Sequence, residues 1–187
     1  AFFAFSLMAS FIYVINDIRD VEKDRNHPRK KERPIASGAV SIKNAIIVSV
    51  LILLCSLVLN YFATQTLFNP SLCFLLSYLI INICYSFGMK NVPILDVVLL
   101  AAGFIIRVYY GASVINVPVS NWLFLTILNA SFFLGLGKRK KEFKISDNVR
   151  AVLKNDNEEF LTNFMNICLT LVIVFYSLWV MEQEKRF

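Results

Sequence analysis

Long apolar runs alternate with short polar stretches along this chain. The runs hold about 15 to 22 residues, and at 1.5 Å per residue the longer ones cross a hydrocarbon core of roughly 30 Å. Turn-forming residues such as Pro34, Gly38, Pro70 and Pro118 separate them. The pattern therefore predicts an all-α, polytopic transmembrane bundle with six helices. Their expected bounds are Ala1 to Ile15, Ile42 to Ala63, Ser71 to Gly88, Ile94 to Ile115, Asn121 to Gly137 and Phe160 to Met181.

The composition agrees with a membrane protein. Of the 187 residues, 57% are hydrophobic and 17% are charged, which is too apolar for an ordinary soluble domain and excludes a disordered segment or a disulfide-stapled secreted module. The four cysteines lie inside the apolar runs without a Cys-x-x-Cys pair, so we expect buried free thiols and not zinc ligands. The whole chain, 1–187, is expected to form a single transmembrane domain.

The basic residues are concentrated in alternate connections between the runs. Eight Lys and Arg residues fall between positions 16 and 43, Lys90 stands alone in the third connection, seven lie between 138 and 159, and the other two connections have none. By the positive-inside rule the first, third and fifth connections are cytoplasmic. Part of the net charge of +6 is expected to contact anionic membrane lipids. Nucleic-acid binding is not expected, because Phe143 is the one aromatic residue in the two basic loops.

Four oxygen-bearing side chains follow the first apolar run. Asn16, Asp20 and Asp24 are spaced i, i+4, i+8, and Asp17 precedes Asp20 by three residues. If the first helix continues through Asp24, these side chains share one face at a spacing of about 6 Å. Like charges at that spacing repel unless a cation lies among them, and such ligands suit Mg²⁺ bound together with substrate phosphates. The alternative is a solvated helix end whose acids pair with neighbouring Arg and Lys residues.

A basic loop comes directly after these acids. It contains Arg25, His27, Lys30 and Arg33. Arg forks and Lys point charges bind phosphate oxygens well, so the acids and the loop together predict a site for a metal ion and a diphosphate. His27 is expected to form hydrogen bonds or to contact phosphate, with proton transfer as the alternative.

Two charged residues, Asp96 and Arg107, fall within the fourth apolar run. A charge at the bilayer centre costs about 2.5–3.5 kcal/mol, so both side chains are expected to face protein or water. They are separated by about 16 Å along a helix and do not pair with each other. Asp96 is expected near Lys90 and Tyr85, where it would complete the metal or ribose site. Arg107 either binds a helix carbonyl or contacts a substrate phosphate or another site residue.

The polar motifs together resemble one superfamily of membrane enzymes. The segment from Asn16 to Gly38, with Asp17, Asp20, Asp24-Arg25-x-His27-Pro28 and Arg33-Pro34-Ile35-Ala36, is similar to the first aspartate-rich motif of the UbiA-type intramembrane prenyltransferases. It most resembles the decaprenyl-phosphate phosphoribosyltransferase branch. Two later stretches agree with that resemblance, from Tyr85 to Ala112 and from Leu136 to Glu142.

The resemblance implies a nine-helix fold with a cavity that faces the cytoplasm, here in a bacterial inner membrane. In that scheme the chain would hold helices two to seven. Separately, the chain begins inside an apolar stretch without an initiator Met, so it is expected to be part of a longer protein. Family members that prenylate an aromatic ring carry a second aspartate-rich motif in a later cytoplasmic loop. Asp147 and Asp156 are too far apart to form one, and this departure favours a phosphorylated lipid as acceptor.

The favoured hypothesis is the Mg²⁺-dependent transfer of 5-phosphoribosyl from phosphoribosyl diphosphate to a polyprenyl phosphate, with release of diphosphate. The expected metal ligands are Asn16, Asp17, Asp20 and Asp24, and the expected catalytic residues are Asp17, Asp20, Asp24 and Asp96. The expected substrate contacts are Asn16, Arg25, His27, Lys30, Arg33, Tyr85, Lys90, Arg107, Lys138, Arg139 and Glu142.

Two other functions stay open. One is prenyl transfer from a prenyl diphosphate to an aromatic or quinone precursor, and the other is transport of a phosphorylated solute.

Within the basic run at the end of the fifth helix, Lys138 and Arg139 are expected to contact phosphate. Lys140 is expected to point to the outer surface, because successive helical residues are 100° apart.

Overall fold

Helices form all the regular secondary structure of the described residues, which confirms the predicted all-α fold class. The computed structural model of the chain describes residues 1–89, 92, 94–145 and 158–184, without the side chains of 142–145, 158 and 184. The α-helices are α1 (Phe2–Arg19), α2 (Val21–Arg25), α3 (Ile42–Thr64), α4 (Pro70–Ser86), α5 (Leu95–Val114), α6 (Asn121–Ile145) and α7 (Glu158–Glu184), with a short 3₁₀ helix at Lys30–Glu32.

Four helices in this part of the chain are long and apolar enough to cross a membrane. They are α1, α3, α5 and α7. Helix α4 is apolar but has 17 residues, and α6 ends in the basic run that begins at Lys138. The six predicted apolar segments thus all form helices, and four of these have the length and composition of a span.

The first helix does not continue unbroken through Asp24, so that prediction is wrong. Helix α1 ends at Arg19, and α2 begins at Val21. Asp20 between them has φ −90° and ψ 10°, outside the helical region, as suits a residue with poor helix propensity among like charges. The interruption is small, because the Asp20 amide still donates to Asn16 O at 2.9 Å and the Asp24 amide to Asp20 O at 2.8 Å.

The fifth predicted segment was expected to end at Gly137, but α6 continues to Ile145. No Pro or Gly follows Gly137 to end the helix, and cations are favoured near a helix C-terminus. The residues of the basic run from Lys138 therefore occupy successive helical positions.

All four cysteines are free, as predicted, but their expected burial is wrong for three of them. Cys168 is buried, whereas Cys55, Cys73 and Cys84 are exposed. These three lie on outward faces of α3 and α4, where an apolar thiol needs no protein contact if the face meets lipid.

Contacts divide the chain into two compact units, Ala1–Ile83 and Cys84–Phe187; the expected single domain stays a prediction. The first unit is built on the contact between α1 and α3. The buried face of α1 consists of Ala4, Phe5, Met8, Ala9 and Ile12, and that of α3 of Ala45, Ser49, Ser56 and Asn60. Small residues let the helices approach closely, and the Ser56 hydroxyl donates to Ala4 O at 2.7 Å.

In the second unit α6 packs against both α5 and α7. The buried core comprises Val97, Leu136, Leu161 and Cys168. Gly135 is required at the α5 contact, because a Cβ there would lie 2.9 Å from Cγ1 of Val97, closer than normal packing allows. This close approach places Arg139, one turn further along α6, against α5.

Candidate functional site

A cluster of opposite charges lies where α1 and α2 meet the basic loop. Nη1 of Arg33 donates to Asp17 Oδ1 at 2.7 Å and to Asp24 Oδ2 at 2.9 Å. Nζ of Lys30 lies 3.9 Å from Asp24 Oδ1. Asp24 is 3% exposed, so its charge needs a close partner. We call Asp17, Asp24, Lys30 and Arg33 the acidic–basic cluster.

The helix geometry and the loop fold build this cluster together. Asp17 and Asp24 are seven residues apart, almost two full turns, so they share a face despite the break at Asp20. The loop is fixed after Arg33 by burial of Ile35 and Ala36. In addition, Nε of Arg25 donates to Ala36 O at 3.2 Å. The backbone of Arg33 is therefore held near α2.

His27 stabilises the turn that leads into the 3₁₀ helix. Its Nδ1 accepts the backbone N–H groups of Arg29 at 3.2 Å and Lys30 at 3.3 Å. An accepting Nδ1 requires the tautomer with its proton on Nε2. The imidazole thus fixes the loop conformation that carries Lys30 and Arg33.

The predicted metal ligands are partly brought together. Asp17 and Asp24 lie beside one Arg33 nitrogen, while Asn16 and Asp20 are half-buried nearby in sequence. Among the described residues no group of three or more His, Cys, Asp or Glu side chains is placed to hold a metal ion. Two adjacent carboxylates still match Mg²⁺, which proteins usually bind through one or two carboxylates plus phosphates and waters. Ligation by the four predicted residues stays a prediction.

A second charged contact, the Asp96–Arg139 pair, joins α5 to α6. Nη1 of Arg139 donates to Asp96 Oδ1 at 2.8 Å, and the two side chains are 4% and 14% exposed. The same Asp96 oxygen accepts the Val97 amide at 2.8 Å. The sequence predicted a partner for Asp96 on another helix or a ligand, but it did not identify Arg139.

Tyr85 and Lys138 line a small pocket with this pair. Gly135 also contributes to the pocket wall. Tyr85 is half-buried, and Lys138 is exposed. Tyr85 thus lines the same pocket as Asp96, and a metal or ribose site there stays a prediction. Lys90 and the side chain of Glu142 lie outside the described residues.

Arg107 and Lys140 do not line this pocket. Arg107 is exposed on α5, and its guanidinium carbon lies 5.9 Å from the ring centroid of Phe104, within cation–π range. Lys140 does not point to the outer surface, so that prediction is wrong. Its Nζ donates to Thr162 Oγ1 at 2.7 Å, because the α7 helix packs against this side of α6.

Side chains of α7 line a cavity beside Arg139, and the sequence did not predict this contribution to the site. An apolar cavity of about 70 Å³ adjoins Arg139. Its lining consists of Ile94, Val97, Phe132, Leu136, Arg139, Phe160, Leu161 and Phe164. The spacing of Phe160 and Phe164 at i, i+4 was the available signal, since such aromatics lie on one helix face.

Comparison with known proteins places these motifs in a family. The model of the UbiA prenyltransferase family matches residues 1–182. A decaprenyl-phosphate phosphoribosyltransferase of Mycolicibacterium smegmatis is 33% identical over 99% of this chain and 58% of its own length. The Mycobacterium tuberculosis protein of the same name is 32% identical over 98% of this chain and 61% of its own length.

A protein with a different name also matches. A 4-hydroxybenzoate octaprenyltransferase of Francisella tularensis is 30% identical over 87% of this chain and 59% of its own length. The chain thus spans less than two thirds of these relatives. Its long apolar helices and the family match identify an integral, multi-pass membrane protein. The chain belongs to the UbiA prenyltransferase family.

Proposed function

We propose that the full-length protein is a Mg²⁺-dependent membrane transferase that moves 5-phosphoribosyl from phosphoribosyl diphosphate to a polyprenyl phosphate. The observation that carries the proposal is the acidic–basic cluster, in which Asp17 and Asp24 lie against Lys30 and Arg33. Relatives at 32–33% identity are named for this kind of transfer. The basic loops favour a site that faces the cytoplasm, and the bacterial origin of these relatives favours a bacterial inner membrane.

The acidic side of the cluster would hold the metal ion. Prenyltransferases of the UbiA family generally use a divalent metal. Asp17 and Asp24 would be its ligands, together with Asn16 and Asp20. When bound, the ion would neutralise charge on the departing diphosphate.

The basic side would bind the donor. Lys30 and Arg33 would contact diphosphate oxygens, since both are held beside the acids by the turn at His27 and the bond from Arg25 to Ala36. The acceptor phosphate is already anionic near neutral pH, because the second pKa of a phosphate monoester is about 6. The chain therefore needs no strong general base, and its residues act mainly by positioning and electrostatic stabilisation.

In the second unit, Lys138 is a better candidate for a phosphate contact than Arg139. Arg139 is 3% exposed and bound to Asp96, so its charge already has an internal partner. Lys138 is exposed at the pocket lined by Tyr85 and Asp96. We assign Arg139 to positioning Asp96 and Lys138 to contacting an anionic substrate group.

A transfer assay tests the proposal on the full-length protein in nanodiscs with labelled phosphoribosyl diphosphate and polyprenyl phosphate. Asp24→Asn should lower kcat/KM at least about 100-fold, a loss of about 2.7 kcal/mol of transition-state stabilisation. Glu22→Gln is the matched control, because Glu22 is an exposed acid on the same helix. It should change kcat/KM by less than about threefold. Undiminished transfer by Asp24→Asn would overturn the proposal.

Prenyl transfer to an aromatic or quinone precursor is the second candidate function. The 30% identity to a 4-hydroxybenzoate octaprenyltransferase favours it, and the same acids would then bind a prenyl diphosphate. Thermal protection separates the two functions, because a ligand that binds the native state raises its stability. With Mg²⁺ present, protection by phosphoribosyl diphosphate supports the first function, and protection by prenyl diphosphate alone supports the second.

A further inference from the structure

Nη1 of Arg33 lies between the carboxylates of Asp17 and Asp24, where a metal ion bound by both acids would also lie. Nη1 of Arg33 lies 2.7 Å from Asp17 Oδ1 and 2.9 Å from Asp24 Oδ2, so these oxygens are no farther apart than the sum of the two distances. A divalent cation that both carboxylates ligate would also lie between their oxygens. The guanidinium nitrogen and a metal ion bridging both acids cannot occupy that point together.

The burial of the acids explains why a cation is needed there at all times. Asp24 is 3% exposed, and the side chain of Asp17 is 30% exposed. Two like charges this close, with one almost fully removed from water, repel strongly if nothing compensates them. Arg33 supplies that compensation within the chain itself.

The side chain of Arg33 is able to leave while its backbone stays in place. The side chain is 42% exposed, so it reaches solvent without moving a neighbouring helix. The backbone is held by the Ser37 amide, which donates to Arg33 O at 2.8 Å, and by burial of Ile35 and Ala36. Arg139 in the second unit differs in this respect, since its side chain is 4% exposed and enclosed by helices.

We infer that Arg33 is an exchangeable internal counter-cation. Without metal it holds Asp17 and Asp24 together; when a divalent ion enters, it releases both carboxylates and its guanidinium turns to the diphosphate of the donor. The inference rests on the proposed function, because it concerns the metal site of that function. It assigns Arg33 a competing role toward the metal before the donor binds and a phosphate-binding role afterwards.

A direct consequence is that Arg33 weakens metal binding in the absence of donor. The ion must displace a charge-assisted hydrogen bond to each carboxylate before it binds both. The donor offers the displaced guanidinium a new anion, so donor and metal should each raise the affinity for the other by the same factor. Part of this coupling should disappear when Arg33 is replaced by a neutral residue.

The test measures Mn²⁺ binding to the full-length protein in nanodiscs without donor, by the electron paramagnetic resonance signal of the free ion. Arg33→Gln should bind Mn²⁺ at least about tenfold more tightly than Arg29→Gln. Arg29 is an exposed residue of the same loop, so its replacement removes the same charge and controls for the general electrostatic effect. Equal or weaker binding by Arg33→Gln, or no Mn²⁺ binding by any variant, would overturn the inference.

A second variant keeps the test decisive if Arg33→Gln fails to fold. Arg33→Lys retains the charge but replaces the guanidinium by a shorter point charge, so its Mn²⁺ affinity should exceed that of the wild type by at least about threefold. Affinity equal to or below the wild type would contradict the inference. Transfer assays on the same preparations separate the two proposals: transfer without tightening rejects only the counter-cation role, and tightening without transfer rejects only the proposed reaction.

Discussion

The two Arg–Asp contacts of this protein differ in burial and in what surrounds them. The side chain of Arg33 is 42% exposed and joins two carboxylates, whereas that of Arg139 is 4% exposed and bonded to Asp96 across a helix interface. The exposed guanidinium of Arg33 can exchange its partners at little cost, because water solvates it and Lys30 stays 3.9 Å from the buried Asp24 carboxylate. A buried one cannot, because breaking its pair leaves an uncompensated charge inside the protein. The first contact is therefore suited to binding ligands, and the second to fixing α5 against α6.

Breaking the buried pair should have the largest effect on stability. Arg139→Met leaves the Asp96 carboxylate without its cation and should cost about 3–5 kcal/mol of unfolding free energy. Adding Asp96→Asn should restore much of that loss, because the remaining charge is removed. Unfolding by denaturant in bicelles measures both variants. A loss below about 0.5 kcal/mol for Arg139→Met would show that the pair contributes little.

The glycine beside this pair should have the next largest effect. Gly135→Ala introduces a Cβ at 2.9 Å from Val97 Cγ1 and should cost about 1–3 kcal/mol through overpacking. Gly111→Ala is the matched control, since a Cβ there meets nothing within 4 Å, and it should be neutral or slightly stabilising. Val97→Ala added to Gly135→Ala should recover part of the loss in the same unfolding assay. Equal stability of the two Ala variants would contradict the close approach of α6 to α5.

Within the basic run, replacing Lys138 should change substrate binding or turnover, whereas replacing Lys140 should change stability. Lys138→Met should raise the KM or lower the kcat of the transfer reaction at least about tenfold, roughly 1.4 kcal/mol. Lys140→Met should leave kinetics nearly unchanged and lower the unfolding free energy by about 0.5–1 kcal/mol, because it loses the hydrogen bond to Thr162. Lys141→Met, at an exposed position, controls for loss of charge. Equal, small kinetic effects at all three positions would reduce the run to a membrane anchor.

A small effect on stability is expected at the exposed contact. Arg33→Gln should lower the unfolding free energy by about 1 kcal/mol without metal, because Lys30 still lies 3.9 Å from the buried Asp24 carboxylate and solvent screens the half-exposed Asp17. Saturating Mg²⁺ should restore that loss, because the ion then compensates Asp17 and Asp24. Thermal unfolding with and without Mg²⁺ measures the difference. A loss that persists unchanged in Mg²⁺ would mean that the ion does not replace Arg33.

Local sequence patterns predicted the long helices and the acidic side of the candidate site, but not the position of Arg33. The apolar runs located all six long helices, and the seven-residue spacing of Asp17 and Asp24 places them on one face whether or not α1 breaks at Asp20. The position of Arg33 between them depends on how the loop folds back, which involves the burial of Ile35 and Ala36 and is not encoded in a helical period.

The Asp96–Arg139 pair could not be predicted from the sequence. Asp96 and Arg139 lie on different helices, and their pairing depends on the register in which α5 and α6 pack. That register is set by Gly135 against Val97, a steric detail that no periodic pattern indicates. The contact of Lys140 with Thr162 was missed for the same reason, because it requires α7 beside α6.

The most direct test of the central claim is a structure of the full-length protein with Mn²⁺ and phosphoribosyl diphosphate, in which anomalous scattering locates the ion. We predict an anomalous peak bound by Asp17 and Asp24, at a coordination distance near the value of about 2.1 Å for Mg²⁺. The Arg33 guanidinium should then contact a diphosphate oxygen and no longer lie between the carboxylates. A bound donor with Nη1 of Arg33 still bridging Asp17 and Asp24, and no peak beside them, would contradict the account.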